Sequence, residues 1–240
     1  MRFLYDTYVD DATLSSGGAI PGFSLANLQD PQLSRRYRSI STNDAIVIDL
    51  GSARAVDSFA LAQHNISTQE VTLQANSTDD WAAPPFDEVI EVNTRMGYAI
   101  FNAQTYRYWR VVVNDPGSEL GQVEISRVAL GESFIGPAID LDAQIPRRST
   151  SVRAFSRSRQ AYINEGKRYR AGSVNFGFIT EDEKNDFADM FEFTDRGPIF
   201  IDFQLPSEQA LYAVVSGSFE LSYNFGGRFF TMALDFEEVF

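Results

Sequence analysis

The stretch AIVIDLGSARAVDSFALAQHN, from Ala45 to Asn65, decides the fold. In its first part, apolar residues recur at every second position and Val47 adds an apolar side chain on the other parity. The residues of the first parity are Ile46, Ile48 and Leu50. This pattern is typical of a strand that is partly buried on both faces. Gly51 and its polar neighbours indicate a turn, and a second β-rich run follows. The stretch therefore predicts two strands joined by a turn.

The composition excludes several classes of protein. The chain has 240 residues and no cysteine, which rules out a disulfide scaffold, thiolate metal sites and a cysteine nucleophile. The segment Met1–Asp6 reaches an acid before any apolar run develops, and no stretch approaches the roughly 20 apolar residues of a membrane span. We therefore expect a soluble protein that is made in a cytoplasm and does not insert into a membrane.

Charge is distributed unevenly along the chain. The net charge is −13, which argues against nucleic-acid binding because phosphate contacts require a positive surface. The segment from Arg147 to Arg170, which we call the basic strip, carries eight basic residues and one acid, Glu165. The residues that follow the strip, 171–240, include three basic and thirteen acidic side chains. A basic strip thus precedes a strongly acidic C-terminal part.

Five short motifs follow one another between about residues 20 and 132. They are Asn27-Leu28-Gln29-Asp30, Arg35-Arg36-Tyr37-Arg38-Ser39, Asp49-Leu50-Gly51 leading to His64-Asn65, Tyr108-Trp109-Arg110-Val111, and the run from Val123 to Gly131. Their order resembles that of discoidin-like domains, the galactose-binding-like jelly rolls. The resemblance implies an N-terminal jelly-roll sandwich over residues 1–134. Secreted members often have a cysteine pair that ties the termini, and this chain has none.

The C-terminal part predicts a smaller β-domain with one helix. Gly136-Pro137 indicates a linker, which we place at residues 135–149, and the second domain follows at 150–240. Thr180 and Glu183 have the spacing of a capping box, which predicts a helix over about 181–193. Alternating apolar residues predict strands on both sides of this helix. The fold class is therefore mainly β.

The order of elements in the second domain supports a further resemblance. A strand, a capped helix, a strand and a long hairpin with an acidic end resemble the small barrel-and-helix domains of bacteriophage tail-tip and baseplate proteins. The resemblance covers roughly residues 150–240 and implies a β-barrel-like assembly domain.

Catalytic chemistry has little support in the sequence. His64 is the single histidine, and no serine has the surroundings of a nucleophile elbow. Four pairs of carboxylates could serve a glycosidase, but each is more simply a solvated turn, linker or terminus. They are Asp10-Asp11, Asp79-Asp80, Asp140-x-Asp142 and Glu237-Glu238. We predict that the protein is not an enzyme and has no cofactor.

One loop carries the candidate ligand-binding residues. Asn76, Asp79 and Asp80 could supply oxygen ligands to a structural calcium ion, although a plain surface turn is the simpler interpretation. Trp81, in the same loop, could stack on a sugar, with His64 and Arg36 as further candidates. Alternatively, Trp81 covers one end of the sandwich or contacts a neighbouring subunit.

The basic strip is rich in arginine, whose planar group suits paired contacts with carboxylates. Its arginines are candidate subunit-interface residues: Arg147, Arg148, Arg153, Arg157, Arg159, Arg168 and Arg170. An acidic patch on the next copy would then meet the strip head to tail, an arrangement that can close rings. A solvated face and nucleic-acid contact are the alternatives.

Together these observations predict a structural component of a bacteriophage tail tip or baseplate. It would assemble in the bacterial host cytoplasm into a trimeric or hexameric ring with other phage tail proteins and be carried in the virion. The alternative is a non-catalytic carbohydrate-binding module that attaches to cell-surface glycan.

Overall fold

The computed structural model describes residues 1–93, 95–137, 145–155, 157, 159, 161–195, 197–204, 210–216, 222–224 and 229–240. Contacts divide the chain into two compact units. The first unit comprises Met1–Ile135 and Ile199–Leu211, and the second comprises Gly136–Pro198 and Tyr212–Phe240. None of the described helices is both long enough and apolar enough to cross a membrane.

The chain is mainly antiparallel β-structure, which confirms the predicted fold class. The strands before the unit boundary are β1 (Arg2–Leu4), β2 (Thr13–Ser15), β3 (Tyr37–Arg38), β4 (Asn43–His64), β5 (Glu70–Asn76), β6 (Phe86–Glu91), β7 (Met96–Asn114), β8 (Glu124–Gly131) and β9 (Phe134–Ile135). Two short 3-10 helices, Tyr8–Asp11 and Leu25–Gln29, connect the first of them.

The later elements include the α-helix. They are β10 (Arg147–Ser149), β11 (Val152–Phe155), β12 (Ala161–Asn164), β13 (Arg168–Ile179), α1 (Glu181–Thr194), β14 (Ile199–Asp202), β15 (Leu211–Ser216), β16 (Ser222–Asn224) and β17 (Phe229–Glu238). Of the predicted linker, residues 138–144 lie outside the described residues, and Arg147–Ser149 is a strand that pairs with β13.

The stretch that decides the fold forms one long strand instead of the two predicted. Strand β4 pairs with β7 as far as Asp49, and the pairing resumes at Arg54 after a register shift. Gly51, with φ of +75°, lies within this irregularity, in a region of backbone conformation that favours glycine. The polar residues that predict a turn are therefore accommodated as a bulge, because β7 continues alongside and keeps the two halves in one sheet.

The core of the first unit lies on the face of β4 that the sequence predicts. Ile46 and Ile48 are fully buried and Leu50 nearly so. Trp109, on the neighbouring strand β7, is also fully buried, and its ring lies 5.6 Å from Phe86 and 6.0 Å from Phe101 between centroids. These aromatic contacts make a large apolar contribution to the core.

Residues 199–211 correct the predicted domain division, which assigns them to the second domain. Strand β14 pairs antiparallel with β1, so that Phe3 faces Ile201 and Leu4 faces Phe200. All four side chains are buried. The physical reason is that β1 has an edge to be filled and β14 is apolar enough to be buried against it. Sequence order does not show this long-range pairing.

The second unit contains an antiparallel sheet and the helix. The strands lie in the order β10, β13, β17 and β15, and β16 also pairs with β17. Phe187 of the helix packs on Phe176 of β13, with ring centroids 5.2 Å apart. Thr180 and Glu183 form both hydrogen bonds of a capping box, as their spacing predicts. The observed helix, Glu181–Thr194, agrees with the predicted range.

Candidate functional site

A cleft of about 610 Å³ opens in the first unit. We call it the polar cleft. Its polar lining residues are Thr68, Gln69, Glu70, Glu91, Asn93 and Asp202, and its remaining lining residues are Val92, Met96, Tyr98 and Ala210. The volume lies within the range of small-molecule sites, and the polar lining offers many hydrogen-bonding groups to a ligand.

Backbone hydrogen bonds hold the two sides of the polar cleft together. The N–H of Val92 donates to the carbonyl of Gln69 at 2.8 Å. The side-chain oxygen of Asn93 accepts from the N–H groups of Arg95 and Met96, each at 2.9 Å. Gly97 permits this tight turn, because a Cβ atom there would lie 2.5 Å from a methyl carbon of Val92. These contacts connect the backbone segments on the two sides of the cleft.

The charge of the polar cleft is negative. Its described lining residues include three carboxylates and no lysine or arginine. Glu70 and Glu91 lie directly opposite each other on β5 and β6, an arrangement that is unfavourable for like charges. Asp202 accepts a hydrogen bond from the N–H of Gln204 at 3.0 Å, and it interacts electrostatically with the terminal ammonium group of Met1. The cleft offers oxygen acceptors and repels anions.

Tyr98 lies in the lining of the polar cleft. Its hydroxyl oxygen is buried and makes no hydrogen bond of ordinary geometry among the described residues. Burial raises the pKa of this hydroxyl, and the side chain of Ser58 partly offsets that effect. The phenol therefore stays protonated.

Trp81 is partly exposed, and its orientation is fixed by its neighbours. The indole N–H donates to Asp79 Oδ1 at 2.7 Å, and the Arg110 guanidinium lies 4.5 Å from the ring centroid. Arg110 donates to Gln74 Oε1 at 2.9 Å. Burial lowers the pKa of Arg110, while the charges of Asp87 and Asp79 oppose this shift. Trp81 thus belongs to a small aromatic and polar patch on β5 and β7.

The other two sugar-binding candidates, His64 and Arg36, already interact with other residues of the chain. His64 Nδ1 accepts from the N–H of Ile66 at 3.1 Å, and burial lowers the pKa of His64 to about 4. Arg36 forms an ion pair with the nearly buried Glu124, to which Arg38 also bonds. None of the three candidates lies in the lining of the polar cleft. A role of Trp81, His64 or Arg36 in sugar binding stays a prediction.

The candidate calcium ligands already accept or donate hydrogen bonds within their loop. Asn76 Nδ2 donates to the carbonyl of Asp80 at 2.6 Å, and Asp80 Oδ1 accepts from the N–H of Ala82 at 3.1 Å. Asp79 holds Trp81. Among the described residues, no group of three or more histidine, cysteine, aspartate or glutamate side chains could hold a metal ion. The calcium site stays a prediction.

The remaining carboxylate pairs differ in their surroundings. Asp10 forms an ion pair with the nearly buried Arg127 at 2.6 Å. Glu238 accepts from Arg170. Asp140 and Asp142 lie outside the described residues.

The arginines of the basic strip fall into two groups. Arg170 is mostly buried and forms an ion pair with Glu238 at 2.9 Å, so its charge is already neutralised inside the second unit. Arg147 and Arg148 lie on β10, opposite Arg170 and Tyr169 of β13. Arg148, Arg157, Arg159 and Arg168 are exposed. Arg153 lies on β11.

No sequence pattern marks the residues of the polar cleft as a binding site. Glu70 and Glu91 are ordinary exposed strand ends, and Asp202 reaches the cleft through the pairing of β14 with β1. A contact between residues 200 positions apart follows only from the complete fold.

Comparison with solved structures gives partial similarities to carbohydrate-binding modules. Chitosan-binding module 1 of a chitosanase/glucanase from Paenibacillus sp. IK-5 has 18% identity and a TM-score of 0.44, and the match covers 53% of this chain and 99% of the module. Module CBM32-5 of a Clostridium perfringens protein, in complex with GalNAc-β-1,3-galactose, has 11% identity and a TM-score of 0.43, with 53% and 100% covered.

A third structure, the lectin-binding domain of lectinolysin complexed with Lewis b, has 12% identity and a TM-score of 0.44, with 52% of this chain and 94% of that chain covered. Similarities at this level carry no conclusion about ligands. Neither a family model nor a curated protein matches the sequence. Nothing in these comparisons supports the predicted resemblance to phage tail-tip domains.

Proposed function

We propose that the first unit is a non-catalytic carbohydrate-binding module and that the polar cleft is its binding site. The observation that carries the proposal is a concave site lined mainly by carboxylate, amide and hydroxyl groups. Sugar hydroxyls donate to carboxylate oxygens and exchange hydrogen bonds with amides, and the ring of Tyr98 and the side chain of Met96 supply apolar contact. The negative charge favours neutral or amino sugars over acidic ones.

The hydrogen bonds at the rim of the cleft support the same proposal. The hydrogen bonds between Val92 and Gln69 and within the Asn93 turn fix the backbone on both sides of the cleft. A site that is already ordered loses less conformational entropy when a ligand binds.

Titration calorimetry of the full chain tests this proposal. The probes are GalNAc-β-1,3-galactose and the Lewis b oligosaccharide, from the two complexes named above, and chitotriose, the ligand in a structure of chitosan-binding module 2 of the same Paenibacillus enzyme. We expect Glu91→Gln and Asp202→Asn each to weaken binding of the best probe about tenfold, which corresponds to about 1.4 kcal/mol. Trp81→Ala is the matched control because Trp81 lies outside the cleft.

Two results would contradict the proposal. If the wild-type chain binds none of the probes at millimolar probe concentration, the proposed carbohydrate-binding function is wrong. If Trp81→Ala abolishes binding while both cleft variants bind normally, the sugar binds at the Trp81 patch instead.

A second candidate function is assembly into a larger structure, such as the ring of a phage tail. The observation that favours it is a hairpin in the second unit with exposed apolar side chains, Val152–Phe155 with Ala161–Asn164. The partners would be further copies of the chain and other tail proteins, and the location would be the virion. Co-sedimentation of the chain with assembled phage tails tests whether it is a tail component.

A further inference from the structure

Strands β11 and β12 form a two-stranded hairpin, which we call the arm. In the described structure they pair only with each other. Four large apolar side chains of the arm are about 60–70% exposed: Val152, Phe155, Tyr162 and Ile163. An isolated two-stranded hairpin is marginally stable in water, and apolar groups gathered on one are characteristic of an interaction surface.

Both faces of the arm present apolar groups. Residues that are directly opposite in an antiparallel pair share a face, so Val152 and Tyr162 lie on one face, and Phe155 and Ile163 lie on the other. Since each of the four is exposed, neither face is covered by the residues that the structure describes.

The surroundings of the arm carry unneutralised positive charge. Arg148, Arg157, Arg159 and Arg168 are exposed and form no ion pair within the described part of the chain. Arg170 behaves differently, because Glu238 neutralises it. A partner surface for the arm must therefore carry carboxylates and also allow contact with apolar side chains.

Helix α1 has the complementary charge. Its exposed acids are Glu181, Asp182, Asp186, Asp189, Glu192 and Asp195, the last of which is its C-terminal capping residue. Lys184 is the single basic residue of the helix, and it is already paired with Glu181. No basic residue lies in the last turn, although the helix dipole favours a cation there.

Repulsion within this acidic face acts on Asp186. The pKa of Asp186 is raised, first by burial and then by the charges of Asp189, Asp182 and Glu183. An external cation would relieve this repulsion. Among the described residues, Lys184 is the one basic side chain in an ion pair with this helix, and the surroundings of the arm carry the complementary charge.

We propose that the arm of one copy docks on the acidic face of helix α1 of a second copy. Both surfaces are present in every chain, and in the described structure no ion pair joins them within one chain. Because the two surfaces differ, the contact is heterologous and head to tail, and it leads to a ring or a chain of copies. This inference concerns the second unit and is independent of sugar binding by the first.

Analytical ultracentrifugation of the full chain tests the proposal. We expect concentration-dependent oligomers in low salt that dissociate as salt screens the charges. The arm variant Arg157→Glu/Arg159→Glu and the helix variant Asp186→Lys/Asp189→Lys should each raise the apparent Kd at least tenfold. Matched control variants reverse exposed charges of the first unit: Arg95→Glu for the arm variant and Glu119→Lys for the helix variant.

Mixing the two charge-reversed variants gives the decisive result. Each variant then meets a complementary surface on the other, so association should return although each alone is monomeric. A mixture that stays monomeric would overturn the proposal, as would a monomeric wild-type chain at high concentration and low salt. Circular dichroism confirms that both variants are folded.

The absence of cysteine permits a second, independent measurement. Phe155→Cys/Asp189→Cys has only the two introduced thiols. Docking predicts disulfide-linked dimers and higher species on mild oxidation, and a Val89→Cys/Asp189→Cys control, with an exposed residue of the first unit, should remain mostly unlinked. Equal cross-linking in both proteins would contradict the assigned surfaces.

Discussion

Asp202 lies directly opposite Arg2 across the pairing of β14 with β1. This one register position brings an acid from late in the chain to the polar cleft and completes its set of three carboxylates. Arg2 itself donates hydrogen bonds to Asp57 and Ser133 at 3.0 and 2.8 Å, and it is not among the lining residues of the cleft. The negative character of the cleft is thus a consequence of strand pairing.

The first prediction concerns the charge of the ligand. We expect the chain to bind neutral or amino oligosaccharides at least tenfold more tightly than matched sialylated ones, because three carboxylates would face the acidic sugar. Titration calorimetry with matched pairs of glycans measures the ratio. The variant Glu70→Gln/Glu91→Gln should reduce that ratio, and tighter binding of the acidic glycan by the wild-type chain would contradict the assigned cleft.

The second prediction concerns the facing pair Glu70 and Glu91. Glu70→Gln removes a like-charge contact between neighbouring strands and should stabilise the fold by about 0.5 kcal/mol in low salt. Urea denaturation measures the difference, which should shrink as salt is added. Glu88→Gln is the control, since Glu88 lies opposite the apolar Leu73. A destabilised Glu70→Gln variant would indicate that Glu70 has a stabilising partner.

Local patterns predict the elements better than their arrangement. The capping box at Thr180 predicts the helix because its hydrogen bonds join residues three positions apart. The alternation of Ile46 and Ile48 predicts the buried face of β4 for the same local reason. By contrast, the turn chemistry at Gly51 predicts a chain reversal, whereas pairing with β7 keeps the strand extended.

The candidate site is harder to predict than the fold because it is assembled from distant residues. Trp81 is conspicuous in the sequence, but it is engaged with Asp79 and Arg110. Glu70, Glu91 and Asp202 have no distinguishing sequence context, and only the sheet register brings them together. The basic strip is visible from composition, yet the ion pair that neutralises Arg170 depends on Glu238, 68 positions further along the chain.

The third prediction concerns the capping box of helix α1. Thr180→Ala removes the side-chain oxygen that accepts from the N–H of Glu183 at 3.3 Å, and it should destabilise the second unit by about 1 kcal/mol. Thr180→Ser keeps the hydroxyl and should stay within a few tenths of a kcal/mol of the wild-type chain. Denaturant titration followed by far-ultraviolet circular dichroism compares the three proteins. Equal stability of the alanine and serine variants would contradict the role of the cap.

The last prediction concerns pH and the single histidine. Burial lowers the pKa of His64 to about 4 in the folded chain, while the unfolded chain has the ordinary value of about 6.5. Between these values the unfolded state binds more protons, so stability should fall as the pH decreases from 6.5 to 4, by up to about 3 kcal/mol. Above pH 6.5 His64 should have no effect.

His64→Asn isolates this contribution. Asparagine does not titrate, and its side-chain oxygen can still accept from the N–H of Ile66, as Nδ1 of His64 does at 3.1 Å. Carboxylates titrate mainly below this pH window, so we expect the stability of the variant to change much less between pH 6.5 and 4.5. Urea denaturation at several pH values gives both slopes, and identical slopes for the two proteins would show that His64 titrates normally in the folded chain.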